Sequence, residues 1–346
     1  MRTSLALLTG VLTSVGAAAA CSSQPISGAE SEETERVGPS PVISIATTQP
    51  IGLAADETTI YWRTGAGDLM SASVAGRDVS TRLAGASDAG GSALLIDSER
   101  NDLLVDGASA YFIVNAGSSS YVQAARLDDS GASTLDVTTH VTSWAQAMAL
   151  DATSLYVVRY DIDEQGGTCP DLGIDVVPLG QGATTTLHGP CSLVRMTVDS
   201  AANVYWTDRG RPPGNVNPSV MMQSVSSTLP TEIASAVSPY GIAVYGGNVY
   251  WSDAGNIMLL PVGATNASVL SSSAEPRDIV VDASGVYWID SGSAIMTAPL
   301  GGGAATAIAQ GTNVVALATN GTSVFWADEG TPADDYADGT VMGVAK

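Results

Sequence analysis

The chain has 346 residues, of which 45% are hydrophobic, and its formal net charge is −22. That length can bury a large core, either as two domains or as one array of repeats. Only 13 basic residues stand against 35 acidic ones, which argues against nucleic acid or an anionic lipid surface as a main partner, because both need a basic footprint. An acidic surface is typical of a soluble exported protein.

Residues 1–20 have the pattern of a signal peptide. Arg2 supplies a short positive region, residues 5–15 are mostly apolar, and residues 17–20 are small residues that lead into Cys21. The apolar run is too short and too rich in Ala and Gly to predict a stable membrane span. We therefore expect this segment to be an export signal outside the folded domain.

Cys21 follows the small-residue cleavage site and resembles the lipobox cysteine of bacterial lipoproteins. The resemblance implies that the Cys21 thiol receives diacylglycerol and that Cys21 becomes the new N-terminus. Ala18 stands where that family usually has Leu, and residues 18–20 also suit ordinary signal peptidase, so plain secretion stays open. The number of cysteines favours lipidation. Of the three, Cys169 and Cys191 can form a disulfide in an oxidising compartment, which leaves Cys21 without a partner cysteine.

Residues 21–40 are predicted to be the lipidated Cys and a flexible tether. The segment is rich in Ser, Gly, Pro and Glu, and it has too few apolar residues to offset its ordering entropy. Ser22 resembles the residue that sorts lipoproteins to the outer membrane. The predicted location is the bacterial cell envelope, at the outer membrane or cell surface, with membrane contact through the lipid anchor only.

Residues 41–346 contain a bulky pair that recurs seven times at intervals of 37 to 50 residues. The copies are Tyr61-Trp62, Tyr111-Phe112, Tyr156-Val157, Tyr205-Trp206, Tyr250-Trp251, Tyr287-Trp288 and Phe325-Trp326. A period near 40 to 50 residues with short β runs is typical of a propeller. We predict an all-β domain, a seven-bladed β-propeller of four-stranded antiparallel blades.

Each copy has the same predicted anatomy. A short apolar run fits a buried inner strand, a polar turn follows, and the aromatic strand comes about five residues later. The turn residues are Asp56, Asp106, Asp151, Asp199, Tyr245, Asp282 and Asn320, and Asp or Asn suits a tight turn. The recurring aromatic residues are expected to pack neighbouring sheets together, so we assign them no binding role.

The seventh copy ends at Lys346 after only three predicted strands. Residues 41–47 form an extra strand-like run before the first copy. We expect this N-terminal run to complete the last blade, because closing the ring removes the open edges of the sheet.

The repeat carries a family resemblance. Tyr205-Trp206-Thr207-Asp208 and Tyr250-Trp251-Ser252-Asp253 resemble the Tyr-Trp-Thr-Asp repeats of receptor propellers, and the inner strands are similar to those of bacterial NHL-type propellers. The receptor family usually has six blades and the first three copies here lack the Asp, so the resemblance is to a repeat type. It implies binding of proteins, glycans or small ligands, and in some relatives lyase or hydrolase activity.

The segments that do not repeat are where we expect function. Three connections between second and third strands are long, at residues 160–172, 208–219 and 328–339, and all open on one face of a propeller. Cys169 and Cys191 both fall on that face in adjacent blades. We predict a disulfide between them that holds the first long loop in place.

Two acidic loop clusters raise the hypothesis of bound calcium. Asp161 and Asp163 resemble the start of a calcium loop, although Gln165 and Leu172 replace later ligands. The second cluster has no recognised spacing and consists of Asp334, Asp335 and Asp338. A solvated acidic loop is the alternative in both places, and no other cofactor is expected.

The starts of the inner strands are predicted to line the mouth of the central channel. Candidate ligand-binding residues there and on the adjacent loops are Trp144, Arg195, Tyr240, Arg277, Asp278, Arg209, Arg211 and Tyr336. Two guanidinium groups, from Arg195 and Arg277, are suited to hold a carboxylate or sulfate. Ordinary pairing with Asp278, Asp102 or loop carboxylates is the alternative.

No recognised catalytic motif is present, and His140 and His188 are the only histidines. The favoured hypothesis is a monomeric, envelope-anchored lipoprotein whose propeller binds protein or glycan ligands on its loop-rich face. The first alternative is a propeller enzyme, a lyase or hydrolase that acts on a polysaccharide or lactone at the channel. The second is a structural part of an envelope complex.

Overall fold

The computed structural model describes residues 43–85, 103–116, 119–128, 134–136, 144–160, 173–188, 192–210 and 217–346, all within one compact unit that spans 38–346. These residues form 28 β-strands and two short 3₁₀ segments, η1 (Ser291–Ser293) and η2 (Pro332–Asp334). In the part of the chain that the structure describes, no helix has the length and apolar character that crossing a membrane requires.

The strands form seven four-stranded antiparallel sheets, which are the blades. Blades 1 to 3 consist of β2 (Pro50–Ala55), β3 (Thr59–Thr64), β4 (Leu69–Ser73) and β5 (Ser80–Leu83); β6 (Leu103–Val105), β7 (Ser109–Ala116), β8 (Ser119–Arg126) and β9 (Thr134–Asp136); and β10 (Trp144–Leu150), β11 (Ser154–Tyr160), β12 (Gly173–Pro178) and β13 (Thr185–His188). Blades 4 to 6 consist of β14 (Leu193–Val198), β15 (Asn203–Asp208), β16 (Ser219–Ser224) and β17 (Thr231–Ser235); β18 (Pro239–Tyr245), β19 (Asn248–Asp253), β20 (Asn256–Leu260) and β21 (Ser268–Ser272); and β22 (Ile279–Asp282), β23 (Gly285–Ile289), β24 (Ala294–Ala298) and β25 (Thr306–Gln310). Blade 7 consists of β26 (Val314–Thr319), β27 (Ser323–Asp328), β28 (Thr340–Ala345) and β1 (Ile43–Ala46).

The inner strands of neighbouring blades touch all the way round the ring. Contacts run in order through β2, β6, β10, β14, β18, β22 and β26, and β26 returns to β2. This arrangement confirms the predicted all-β, seven-bladed propeller.

The last blade is closed by the N-terminal strand, as predicted. β1 pairs antiparallel with β28, with Ile43 opposite Gly343 and Ile45 opposite Val341. Both isoleucines are 5% exposed and belong to one core cluster with Trp62 of blade 1. The closing strand therefore satisfies an open edge and also fills the core between blades 7 and 1.

The recurring aromatic residues lie in the second strands and are buried. Trp62, Trp206, Trp251, Trp288 and Trp326 are each at most 1% exposed. Trp206 of blade 4, for example, packs in one cluster with Tyr156 and Ile174 of blade 3. These large side chains therefore form the interfaces between neighbouring sheets.

The predicted Asp turns repeat the same contacts. Oδ1 of Asp151 accepts the backbone N–H groups of Thr153 and Ser154 at 2.7 and 2.8 Å, and Oδ2 accepts the Tyr156 hydroxyl at 2.8 Å. The equivalent carboxylate–tyrosine pairs are Asp56–Tyr61, Asp106–Tyr111 and Asp199–Tyr205. Burial alone would raise the pKa of Asp151, but these hydrogen bonds outweigh it and hold the pKa below its usual value.

Blade 5 replaces the Asp turn with glycine. Gly246 and Gly247 connect β18 to β19 with φ angles of 59° and 79°. A two-residue hairpin loop with positive φ at both positions matches the twist of the flanking strands, and glycine adopts it without steric cost.

The chain's one lysine fastens the end of blade 7 to blade 6. The Lys346 ammonium contacts the Asp282 carboxylate and the Asn320 carbonyl oxygen, and it lies 5.4 Å from the centre of the Tyr287 ring. Its side chain is 8% exposed. A charge buried to this degree needs such a partner, and the contact ties the last strand of the chain to its neighbour.

Candidate functional site

A polar cavity of about 200 Å³ lies where the inner strands of blades 5, 6 and 7 begin. Its lining residues are Tyr240, Arg277, Asp278, Ile289, Asn313, Val314, Val315, Glu329 and Tyr336. Four of them, Tyr240, Arg277, Asp278 and Tyr336, are residues that the sequence nominated for ligand binding. The start of the inner strands and the long loop of blade 7 therefore bring these candidates to one place.

Arg195 contacts two of the cavity residues from blade 4. Its Nε lies 3.7 Å from Oδ1 of Asp278, and Nη2 donates to the Tyr240 hydroxyl at 3.2 Å. The guanidinium carbon of Arg195 lies 4.8 Å from the Tyr240 ring centre, and that of Arg209 lies 5.5 Å from it. The positive charge of Arg195 is therefore balanced by the protein's own Asp278, and two guanidinium groups contact one phenol ring.

Asp278 differs electrostatically from the aspartates of the turns. Burial raises the pKa of its carboxyl, and the Arg195 charge and the backbone N–H groups of Ile279 and Leu317 lower it only in part. The side chain is 14% exposed. Asp278 therefore takes up a proton at a higher pH than an ordinary aspartate does.

Arg277 is half-buried in the cavity wall and forms no ion pair with another described residue. Its Nη2 reaches the Val314 carbonyl oxygen at 3.5 Å, and its backbone N–H donates to the Ile289 carbonyl at 2.8 Å. The ion pairs found among the described residues join Arg126 to Asp128, Arg159 to Asp175, Arg195 to Asp278 and Lys346 to Asp282. Arg277 takes part in none of them, so its guanidinium retains donors for a ligand.

Glu329 is a buried acidic residue of the cavity, with 4% of the residue exposed. Oε1 accepts from the Gln49 side-chain amide at 2.9 Å, and Oε2 accepts from the Asn313 side-chain amide at 3.1 Å. The Glu329 backbone N–H also donates to the Asn313 carbonyl at 2.9 Å. Both side-chain partners are neutral, so the hydrogen bonds fix the carboxylate without cancelling its charge.

The sequence placed Glu329 within the long loop 328–339 without nominating it for the site, and Gln49 and Asn313 were not nominated either. Asn313 directly precedes inner strand β26, just as Asp278 directly precedes β22. A stricter alignment of blades 6 and 7 would have found it. Gln49 directly precedes inner strand β2 in the same way, and ring closure, which puts blade 1 beside blade 7, brings it to Glu329.

The loop that carries Tyr336 folds on itself. Asp335 and Tyr336 have φ angles of 54° and 57°, and the Asp338 carboxylate accepts the N–H and hydroxyl of Thr331 at 2.7 and 3.0 Å. The Thr331 hydroxyl also lies 3.4 Å from Asp334. Within the residues described, no group of three or more His, Cys, Asp or Glu side chains is arranged to hold a metal ion. Calcium in this loop stays a prediction.

Several predicted site residues fall outside the described part of the chain. These are Cys21, Asp161, Asp163, Cys169, Cys191 and Arg211. Trp144 is described only as the first residue of β10. Lipidation, the disulfide and the first calcium loop therefore stay predictions.

No protein-family model matches the sequence, and comparison with curated protein sequences gives no match. Among solved structures, an oligogalacturonate lyase from Vibrio parahaemolyticus is similar with a TM-score of 0.63 and 7% identity, over 88% of this chain and 92% of that one. The computationally designed Ika8 protein is similar with a TM-score of 0.54 and 11% identity, over 84% of each chain. A puromycin-hydrolyzing peptidase from Mycobacterium tuberculosis gives a TM-score of 0.56 and 12% identity, over 81% of this chain and 49% of the peptidase, so the chain spans about half the peptidase's length. At these identities the likeness shows the propeller fold alone.

Proposed function

We propose that this protein is an envelope-anchored lipoprotein whose propeller binds a protein or glycan ligand on its loop-rich face, with the cavity of blades 5 to 7 as the central contact. The observation that carries the proposal is the guanidinium of Arg277, which lines a polar cavity and forms no ion pair with another described residue. A charged donor held ready in a concave site is the usual means of fixing a ligand's orientation.

The size of the cavity favours binding of one end of a larger ligand. Its volume of about 200 Å³ is below the roughly 300–1,000 Å³ of sites that enclose a whole drug-sized molecule. Three blades supply the walls, so a rigid framework positions the polar groups before a ligand arrives. The loops around the cavity, including residues 329–339, then offer further contact area.

Ligand capture from an envelope extract, beside a glycan array, tests the binding function. The full chain should retain a defined set of proteins or glycans, and Arg277→Gln should lose them. Arg126→Gln is the matched control, because Arg126 lies on blade 2 with its side chain 58% exposed. Equal capture by both variants would indicate that the binding surface lies outside the cavity.

The anchor is tested separately by mass spectrometry of the mature N-terminus. The sequence around Cys21 supports a diacylglyceryl cysteine at the first position of the mature chain. An unmodified Cys21 would contradict the lipoprotein half of the proposal and leave secretion as the export route.

Asp278 favours a second candidate, an enzyme acting on a polysaccharide or lactone. A buried carboxyl with a raised pKa beside a guanidinium and a phenol has the properties of a general acid. Turnover of a panel of acidic polysaccharides and lactones, lost in Asp278→Asn, would establish this candidate. Binding without turnover by the unaltered protein would reject it.

A further inference from the structure

We propose that the cavity of blades 5 to 7 binds an α-amino-acid head group, that is, an ammonium and a carboxylate carried on one carbon. This inference rests on the proposed function, because it names the chemistry recognised at the same cavity. It follows from two opposite charges in the cavity wall, on Arg277 and Glu329, neither of which is in an ion pair within the described residues.

Arg277 supplies the contact for the carboxylate. A guanidinium has five N–H donors in a planar fork that matches two carboxylate oxygens. The one side-chain hydrogen bond of Arg277, to the Val314 carbonyl, is long at 3.5 Å and involves only Nη2. The backbone N–H is fixed on Ile289, so the base of the side chain is held while most of its donors are available.

Glu329 supplies the contact for the ammonium. The residue is 4% exposed, and an isolated charge on a buried residue is costly unless a countercharge compensates it. Gln49 and Asn313 each donate one hydrogen bond, which orients the two oxygens and leaves further lone pairs on each. A ligand ammonium brings three donors and the missing positive charge to the same place.

Two further charges beside the cavity pair with each other, and the Arg209 guanidinium contacts the Tyr240 ring. Arg195 and Asp278 form their own ion pair at 3.7 Å, so neither changes the charge that a ligand must bring. A ligand with only a carboxylate would leave Glu329 uncompensated, and one with only an amine would leave Arg277 uncompensated. A zwitterion satisfies both, and Arg277 and Glu329 can receive one because they are not paired with each other.

The head group has two sources, which are a free amino acid and an amino acid attached to a larger molecule through its side chain. Both present the same ammonium and carboxylate to the cavity. The volume of about 200 Å³ accepts a small group in either case.

Ligand-observed NMR on the full chain tests the inference with a panel of free amino acids as probes. We expect at least one to bind, and its N-acetyl and C-amide derivatives to bind at least about tenfold more weakly, because each removes one of the two charges. The derivative series uses the unaltered protein and needs no variant. Absence of binding by the whole panel, or equal binding of an N-acetyl derivative, would overturn the assignment.

Matched variants locate the contact. Arg277→Gln and Glu329→Gln should each weaken binding of the same amino acid, whereas Arg126→Gln and Glu232→Gln should bind as the unaltered protein does. Glu232 is exposed on blade 4, where its carboxylate accepts only the Ser235 hydroxyl. Equal binding by Arg277→Gln and Arg126→Gln would contradict the assignment. Far-ultraviolet circular dichroism confirms that each variant is folded.

A lysine acylated on its side chain, compared with free lysine, identifies the source. Tighter binding of the acylated form indicates an attached head group, and weaker binding indicates a free amino acid; both support the assignment. A different result would contradict the proposed function than would contradict this inference. If envelope capture depends on Arg277 but no amino acid of the panel binds, the amino-acid inference is wrong and the proposed binding function is still supported.

Discussion

The turn aspartates and Asp278 lie at opposite ends of the inner strands and in opposite electrostatic situations. At the turn end, Asp56, Asp151 and Asp199 accept backbone N–H groups from the next few residues, and the pKa of each lies below its usual value. At the mouth end, burial of Asp278 raises the pKa of its carboxyl. Asp278 is thus penalised as an anion, whereas the turn aspartates are stabilised as anions. Asp290, which follows β23 at the mouth end, has a lowered pKa, because hydrogen bonds from backbone N–H groups outweigh its burial.

The carboxylates of the turns and of the mouth also differ in how far along the chain their hydrogen-bond donors lie. Asp151 is satisfied by Thr153, Ser154 and Tyr156, so any copy of the turn that folds brings its own donors. Glu329 depends on Gln49, which is 280 residues away in sequence. The aspartates of the turns repeat and are parts of the framework, whereas Glu329 depends on a distant partner and belongs to the proposed ligand site.

Opening the ring should have the largest effect, because β1 belongs to the framework and leads into Gln49 of the mouth. Deleting residues 41–47 removes Ile43 and Ile45, and burial of one such side chain is worth roughly 2–5 kcal/mol. We expect loss of cooperative unfolding, measured by urea denaturation followed with tryptophan fluorescence. The exposed Ser44→Ala variant is the control, and an unchanged transition in the deletion would contradict closure by β1.

Altering one repeated turn should cost less. Asp151→Asn removes the charge from a carboxylate that holds two N–H groups and a tyrosine hydroxyl, at about 1–2 kcal/mol near pH 7. The folded pKa of Asp151 is lowered, so its contribution is present above the unfolded value of about 4 and is lost as pH falls below that.

Urea unfolding of Asp151→Asn at several pH values checks this prediction. The difference from the unaltered protein should shrink as pH drops below about 4. Asp128→Asn is the control, because that side chain is 53% exposed. A difference that stays constant with pH would show that the charge of Asp151 does not contribute.

Asp278→Asn should give the opposite pH dependence and a smaller change. The folded pKa of Asp278 is raised, so the unaltered protein gains stability as pH falls through that value, and the variant does not. The stability of the variant relative to the unaltered protein should therefore decrease from pH 7 to pH 4. Urea unfolding of both proteins at each pH measures the difference in stability. If the variant becomes more stable relative to the unaltered protein on acidification, Asp278 does not have a raised pKa.

Arg277→Gln should have the smallest effect on stability, within about 0.5 kcal/mol, because only one long hydrogen bond of its side chain is lost. Thermal unfolding beside the binding assays measures this separation. A loss above about 2 kcal/mol would place Arg277 in the framework instead of the ligand site.

The sequence predicted the parts of this molecule that arise from short-range pattern. The inner strands and the Asp turns recur in the sequence, so their pattern can be read from this one sequence. The strand at residues 41–47 was inferred because it supplies the strand that the seventh copy lacks. Tyr240, Arg277 and Asp278 were found because alignment of the blades placed them at the mouth. Gln49 directly precedes β2 as Asn313 directly precedes β26, so the repeat could have placed it at the mouth as well. Its hydrogen bond to Glu329 could not be inferred, because no period pairs the start of an inner strand with a loop residue 280 positions away.

Lys346 has a consequence for anyone who wants to find this protein's neighbours. It is the only lysine in the chain, and its ammonium contacts Asp282 and Asn320 with the side chain 8% exposed. Amine-directed cross-linkers and biotin esters therefore find a single lysine on the propeller, and its ammonium is already engaged by Asp282 and Asn320. Reagents that activate carboxyl groups have 35 acidic side chains in the sequence to address and are the better choice for capturing a bound partner.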